Sequence, residues 1–241
     1  MRKVFEIGGV VAAAVLIAFG IAAVVMGVNG RNTVNSSLKQ EQIVGSSDMT
    51  PKTIASEVTA DKKAQTALFA QLHAAGVKID PSPIITPSCS VAGTLVSNGD
   101  QARCFAEYMR IHTFGATSGL TYSQMGRYQA KAGTVLKLTD GLGATNDPTL
   151  AVLDPKTQQP VANGRRDLWV TYTALTTALN SGYMASQISL FGIVVGVALL
   201  LSGIGFAILA IGGALRSPDT AFSFAKKWGR KEDPTPVVPA A

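Results

Sequence analysis

The chain has 241 residues, 47% of them hydrophobic and only 15% charged, with 21 Lys and Arg against 15 Asp and Glu for a net charge of +6. A charged share well below the usual ~25% has to be concentrated somewhere, and two uncharged blocks account for it, Ile7 to Val28 and Ile188 to Leu215. Each exceeds the ~20 apolar residues that a helix needs to cross a ~30 Å hydrocarbon core, which disfavours a soluble enzyme, a large multi-span transporter and a disordered chain.

Residues 1–6 carry Arg2 and Lys3 ahead of the first block, residues 7–28. A secretory signal has a core of roughly 7 to 15 apolar residues and a small-x-small cleavage site. This block is longer and runs through Gly27, Val28, Asn29, Gly30 and Arg31 without such a site. It reads as an uncleaved signal anchor, with cleavage as the competing interpretation. Val34, Leu38 and Ile43 follow at near-helical spacing, so the helix extends outward unless Asn29 and Gly30 break it.

Thr50 fits an N-cap with Pro51 at the first helical position. Ile54, Val58, Ala64, Leu68 and Leu72 then form an apolar face, and Gly76 stands where a C-terminal glycine belongs. Pro81, Pro83 and Pro87 make the next stretch an extended connector. From Cys89, the alternation of Val91, Gly93 and Leu95 predicts a short strand and a turn over Asn98, Gly99 and Asp100. Asp100 is expected to cap a helix over about residues 101–114. Cys104, Tyr108 and Ile111 share its packed face, with Phe105, Met109 and His112 beside them, while Arg103, Glu107 and Arg110 are spaced for ion pairs. Residues 115–163 are rich in Gly, Thr, Asp and Pro and read as short strands and turns, with apolar runs at Val135 to Leu138 and Leu150 to Leu153. Asp154 to Thr157 fits a tight turn, and Asn163 and Gly164 precede the last long element.

No charge occurs between Asp167 and Arg216. Leu168, Tyr172, Leu175, Leu179, Gly182 and Ser186 step by four and three, a seam that predicts one long helix running into the second span, residues 188–215. The tail, residues 216–241, has a helix start at Ser217, Pro218 and Asp219. Its Lys226, Lys227, Trp228, Arg230 and Lys231 fit either an interfacial helix on acidic lipid headgroups or a basic stop signal, and Pro234 to Ala241 reads as disordered. Arg2, Lys3, Arg216, Lys226, Lys227, Arg230 and Lys231 lie on the terminal sides of the spans; only Arg31 and Lys39 lie close on the central side. By the positive-inside rule both termini are cytoplasmic and residues 29–187 face outside.

An outside compartment permits disulfides, and Cys89 and Cys104 are the only cysteines. Their pairing closes a loop of about 16 residues, for about 3 kcal/mol of chain-entropy stabilisation, and the spacing is far from the CxxC of catalytic dithiols. His73 and His112, the only histidines, have no HxxxH or HxD partner, so they are expected to be solvated or packed and no metal or cofactor is expected. Gly141, Leu142 and Gly143 lack the setting of a phosphate-binding loop, no GxSxG elbow occurs, and Glu107 with Arg103 or Arg110 fits an exposed ion pair. Neither span holds an ionisable residue, which argues against a proton relay or ion path. Small residues are the notable feature of the spans: Gly192, Gly196 and Gly203 in the second, with Gly9, Ala13, Gly20, Ala23 and Gly27 in the first. They allow close packing of the spans on each other or on another subunit. The central basic residues are mixed with acidic ones, and no nucleic-acid stripe emerges.

The run Met1 to Val10 (MRKVFEIGGV), the Val28 to Thr33 junction (VNGRNT), Ala102 to Ala106 (ARCFA) with Tyr108 to His112 (YMRIH), and the glycine-rich second span carry a family resemblance. The chain resembles a family of two-span bacterial membrane proteins often named aromatic ring-opening dioxygenase of the small-subunit type. The resemblance covers most of the chain and implies a bacterial membrane protein; the name implies soluble enzymes whose iron is held by a large subunit, and no matching iron motif occurs here.

The expected fold is an α+β membrane protein: two transmembrane helices, the second long and continuous, and a mainly helical external domain with short strands and one disulfide. The expected function is a non-enzymatic scaffold, accessory subunit or sensor of an envelope complex in the plasma membrane. Its expected partners are the lipid bilayer and another membrane protein or a second copy. The alternatives are a membrane-tethered enzyme or enzyme subunit, of the aromatic ring-opening dioxygenase kind that the resemblance implies, and a binding module with a site between the last long helix and the Cys104 helix.

Overall fold

In the computed structural model, residues 2–212 are described; the basic cluster Lys226, Lys227, Trp228, Arg230 and Lys231, the Ser217 helix start and the end of the 188–215 span lie outside them. The described chain is mostly helical: α1 (Arg2–Gln40), α2 (Pro51–Ala74), α3 (Gly99–Ala116), the two-residue strands β1 (Tyr128–Gln129) and β2 (Ala144–Thr145), two single 3-10 turns (Leu136–Leu138 and Pro148–Leu150), and α4 (Gly164–Ile211). α1 and α4 are each long and apolar enough to cross a membrane. Asn29 and Gly30 do not break α1, because neither removes an i to i−4 hydrogen bond and an isolated helical glycine costs only about 1 kcal/mol. The chain divides into two compact units, one of Met1–Arg31 with Ile188–Ala241 and one of Asn32–Gln187, so α1 and α4 contribute to both.

In the Asn32–Gln187 unit, α2 packs on α3. Thr50 caps α2 reciprocally with Thr53, Pro51 opens the helix, and Gly76 follows its last turn at φ +81°. The buried residues of α2 are Ile54, Val58, Gln65, Leu68, Phe69 and Leu72. Ala64, expected on that face, is exposed; Gln65 takes the place because its amide donates to the Ser82 and Gly119 carbonyls at 2.9 and 3.0 Å, so a polar side chain is satisfied inside. α3 starts one cap earlier than expected. Asn98, not Asp100, accepts the Gln101 amide at 3.0 Å, and Asp100 falls in the first turn, where its charge suits the helix dipole. Tyr108, Ile111 and Phe114 from α3 are buried with Leu120, Met125 and Trp169.

The expected strand after Cys89 is instead a kinked ribbon, because Gly93 sits at φ +64° and interrupts the alternation. The ribbon still pairs: Val91 donates to Met49, Gly45 to Thr94 and Val96 to Ile43 at 3.1, 3.1 and 2.8 Å. Gly45 has to be glycine, since a Cβ there would overlap the Val91 carbonyl. β1 and β2 are antiparallel, with Tyr128 opposite Thr145 and Gln129 opposite Ala144; bridges from Tyr128 to Ala162, Ala130 to Ala151 and Leu153 to Pro160 extend the layer. Of the apolar run at Val135 to Leu138, Leu136–Leu138 forms a 3-10 turn, and Asp154 accepts the Lys156 and Thr157 amides at 2.9 and 2.8 Å in the expected turn.

α4 begins after Asn163, whose side chain accepts the Arg165 amide at 3.1 Å. Its buried face is Trp169, Thr176, Leu179 and Ser186, with Tyr172 and Leu175 half-buried. Leu168, expected to head the seam, is 47% exposed. Trp169 replaces it because the indole N–H reaches the Leu120 carbonyl at 2.9 Å and the ring meets Phe114 and Tyr172 edge to face at 5.5 and 5.1 Å.

In the other unit, the first part of α1 lies against the last part of α4. A Cβ at Gly20 would stand 2.8 Å from Leu200, at Gly27 2.7 Å from Ile193, and at Gly30 2.7 Å from Ser189. The outward residues are large and apolar, among them Phe19, Met26, Phe191 and Leu201, all more than 60% exposed.

Candidate functional site

The polar residues that converge in the Asn32–Gln187 unit lie where the loop before α2 meets α2 and α3. Asp48 is held by its own loop: the Ser46 hydroxyl donates to its Oδ1, and its backbone carbonyl accepts from the Thr53 hydroxyl at 2.6 Å and the Thr50 amide at 2.8 Å. Its Oδ2 is 2.9 Å from His112 Nε2 on α3. The Ser46 hydroxyl, chiefly, with backbone and His112 contributions, keeps the Asp48 carboxyl below the usual range. Glu57, two turns into α2, completes the group: the ligand atoms of Asp48, Glu57 and His112 all lie within 4.8 Å of one another, and all three residues are partly open to solvent.

Asp61 borders this group one turn beyond Glu57. It occupies a seam position of α2, three residues after Val58 and four before Gln65, which explains why its Oδ2 is shielded from solvent. That oxygen has no hydrogen-bond partner. Burial, and secondarily the Glu57 charge, push the Asp61 carboxyl above its usual range. A Cβ at Gly115 of α3 would lie 3.3 Å from both Asp61 oxygens and 3.5 Å from Glu57 Oε1, so both carboxylates gather over this glycine. Among the described residues no lysine or arginine forms an ion pair with Asp48, Glu57 or Asp61.

Cys89 and Cys104 are joined, with Cα atoms 6.0 Å apart. The bond fastens the ribbon to α3, and the Tyr108 hydroxyl adds a 2.7 Å hydrogen bond to the Cys89 carbonyl. Two residues on, Val91 donates to Met49, next to Asp48. The disulfide is therefore the covalent link in a path, otherwise made through the Val91 to Met49 hydrogen bond, that ties the Asp48 loop to the helix bearing His112. The histidines do not converge: His73 Nε2 is 2.7 Å from the Ile79 carbonyl.

Arg103 pairs with Glu107 at 3.4 Å and stacks over Tyr183 at 5.0 Å. Arg110 forms no ion pair with Glu107; its guanidinium sits 4.8 Å from the Phe114 ring centre and 5.9 Å from that of Trp169. A groove of about 370 Å³ between α3 and α4 is lined by both arginines, Tyr172, Asn180 and Tyr183. A second, mostly apolar groove of about 410 Å³ runs between Val34 and Leu38 of α1 and Leu175 and Leu179 of α4.

The helix-packing glycines differ among themselves. A Cβ at Gly196 would lie 2.8 Å from the Gly20 carbonyl and at Gly203 2.8 Å from Ile17, but at Gly192 no closer than 3.8 Å to anything. At Gly192 a methyl group would therefore sit at ordinary contact distance, so this position accepts alanine.

Sequence reasoning missed the Asp48, Glu57, Asp61 and His112 group because its members come from two helices and a loop with no local motif. The available signal was a carboxylate in the apolar stripe of α2. No family model, no curated protein and no solved structure matches the chain.

Proposed function

We propose that the protein is an integral plasma-membrane protein in which α1 and α4 span the bilayer and both termini are cytoplasmic. On this reading the Asn32–Gln187 unit faces outward and serves as a non-enzymatic scaffold, accessory subunit or sensor of an envelope complex. One observation carries the reading: both long helices expose large apolar side chains along the Met1–Arg31 and Ile188–Ala241 unit, a surface that water would penalise and lipid would not. The Cys89–Cys104 bond in the other unit supports an oxidising compartment. Membership of the two-span bacterial family that the sequence resembles is part of the same proposal.

Native-level expression, extraction in mild detergent and native mass measurement test the role. A reproducible, stoichiometric membrane partner supports a scaffold or accessory subunit. A chain that stays bare and monomeric counts against both and leaves the sensor role to ligand binding.

A further inference from the structure

We propose that Asp48, Glu57 and His112, backed by Asp61, bind one divalent transition-series cation, Mn2+ or Zn2+. The inference deepens the sensor role and rests on that reading only for the compartment in which the cation is met.

Three observations point to a cation. First, the ligand atoms of Asp48, Glu57 and His112 come from a loop, α2 and α3 yet lie within 4.8 Å of one another, close enough for one ion to touch all three. Second, this chain has six more Lys and Arg than Asp and Glu, yet three carboxylates gather here around His112 without one Lys or Arg partner among the described residues. Glu57 and Asp61 are one turn apart, and like charges at that spacing destabilise a helix unless a cation answers them. Third, Asp61 Oδ2 is shielded from water and bonded to nothing, although its seam position could have held an apolar residue as Val58 and Leu68 do. A shielded oxygen without a partner is costly, and a cation in the adjacent group, by its charge or through a bound water that donates to the oxygen, would relieve it.

The donor set selects the ion. Carboxylate oxygens alone suit Ca2+ and Mg2+, whereas an imidazole nitrogen among carboxylates favours Mn2+ or Zn2+. The ion would take the place of the proton between His112 Nε2 and Asp48 Oδ2, which lie 2.9 Å apart, with the neutral imidazole keeping its own proton on Nδ1. Asp48 reaches the group from a loop that is fastened through Met49 and Val91 to the segment that Cys89 anchors.

The test uses the full chain in detergent, stripped with a chelator and titrated with Mn2+ while the free-ion electron paramagnetic resonance signal is followed. One Mn2+ per chain, displaced by Zn2+ and not by equimolar Mg2+, is expected. Glu57→Gln and Asp61→Asn should each weaken binding by at least about tenfold, and Glu107→Gln, at the exposed Arg103 pair, should leave it unchanged. A second readout needs no variant: Zn2+ should protect His112, and not His73, from diethylpyrocarbonate, as mapped by mass spectrometry. No stoichiometric uptake at ~1 mM Mn2+, uptake indifferent to Glu57→Gln, or equal modification of His112 with and without Zn2+ would each overturn the site. These results do not depend on orientation in a membrane, so the site can fail while the topology stands, and the reverse.

Discussion

Removing the Cys89–Cys104 bond, by Cys89→Ala with Cys104→Ala, should lower stability by an amount set mainly by the unfolded chain. The bond spans a sequence separation of 15 residues, for which loop-closure entropy gives about 3 kcal/mol. Cys104 is buried against apolar neighbours, so alanine leaves no polar group behind and adds only a small packing loss. At roughly 2 to 4 °C per kcal/mol for a unit of this size, the melting temperature should fall by about 6 to 12 °C. The assay is near-ultraviolet circular dichroism of the detergent-solubilised chain in chelator, comparing the oxidised protein, the reduced protein and the double variant. The reduced protein and the variant should melt together, both well below the oxidised form. A double variant melting within about 1 °C of the oxidised protein would refute the entropic argument and show that the 89–104 loop remains ordered in the unfolded state.

Tyr108→Phe removes the donor of the 2.7 Å hydrogen bond to the Cys89 carbonyl and should cost about 1 to 3 kcal/mol in urea unfolding. Burial holds the Tyr108 hydroxyl protonated above its usual range. The folded state therefore keeps a proton that the unfolded state releases, and this stability is intact below pH ~10 and lost as the pH rises above it. The alkaline loss should be shallower in Tyr108→Phe; an identical pH profile would contradict it. Gly196→Leu, at a position where even a Cβ would stand 2.8 Å from the Gly20 carbonyl, should destabilise by at least about 1 to 3 kcal/mol in thermal melts. Gly192→Ala, with nothing nearer than 3.8 Å, should stay within about 0.5 kcal/mol of the parent; equal effects at the two positions would refute the packing described. The double cysteine variant should also bind Mn2+ more weakly than the oxidised protein, because the Asp48 loop is fastened beside Cys89; unchanged affinity would separate the disulfide from the cation site.

Much of the helical architecture was legible because local chemistry and periodicity agreed. Thr50 and Pro51 start α2 where a cap and a proline belong, and Leu68 and Leu72 repeat at the spacing of a buried face. The misplacements share a cause: periodicity locates a stripe but not which of two adjacent residues lies at its centre. Gln65 displaced Ala64, and Trp169 displaced Leu168, because partners distant in sequence satisfy the amide and the indole. Asn98 and Asp100 are both good caps two residues apart, and only the geometry of the ribbon decides between them. The Asp48 and His112 contact spans 64 residues and has no spacing motif. Its trace in the sequence was Asp61, a charge placed where the stripe of α2 called for an apolar side chain.

The most direct test of the account is the side of the membrane on which the Asn32–Gln187 unit lies. Intact cells are reduced, then treated with a thiol reagent that cannot cross membranes, and the labelled cysteines are mapped. Labelling in intact cells, at the half-buried Cys89 ahead of the buried Cys104, is the expected result. Labelling of both only after lysis would contradict it and place the disulfide-bonded unit in the cytoplasm.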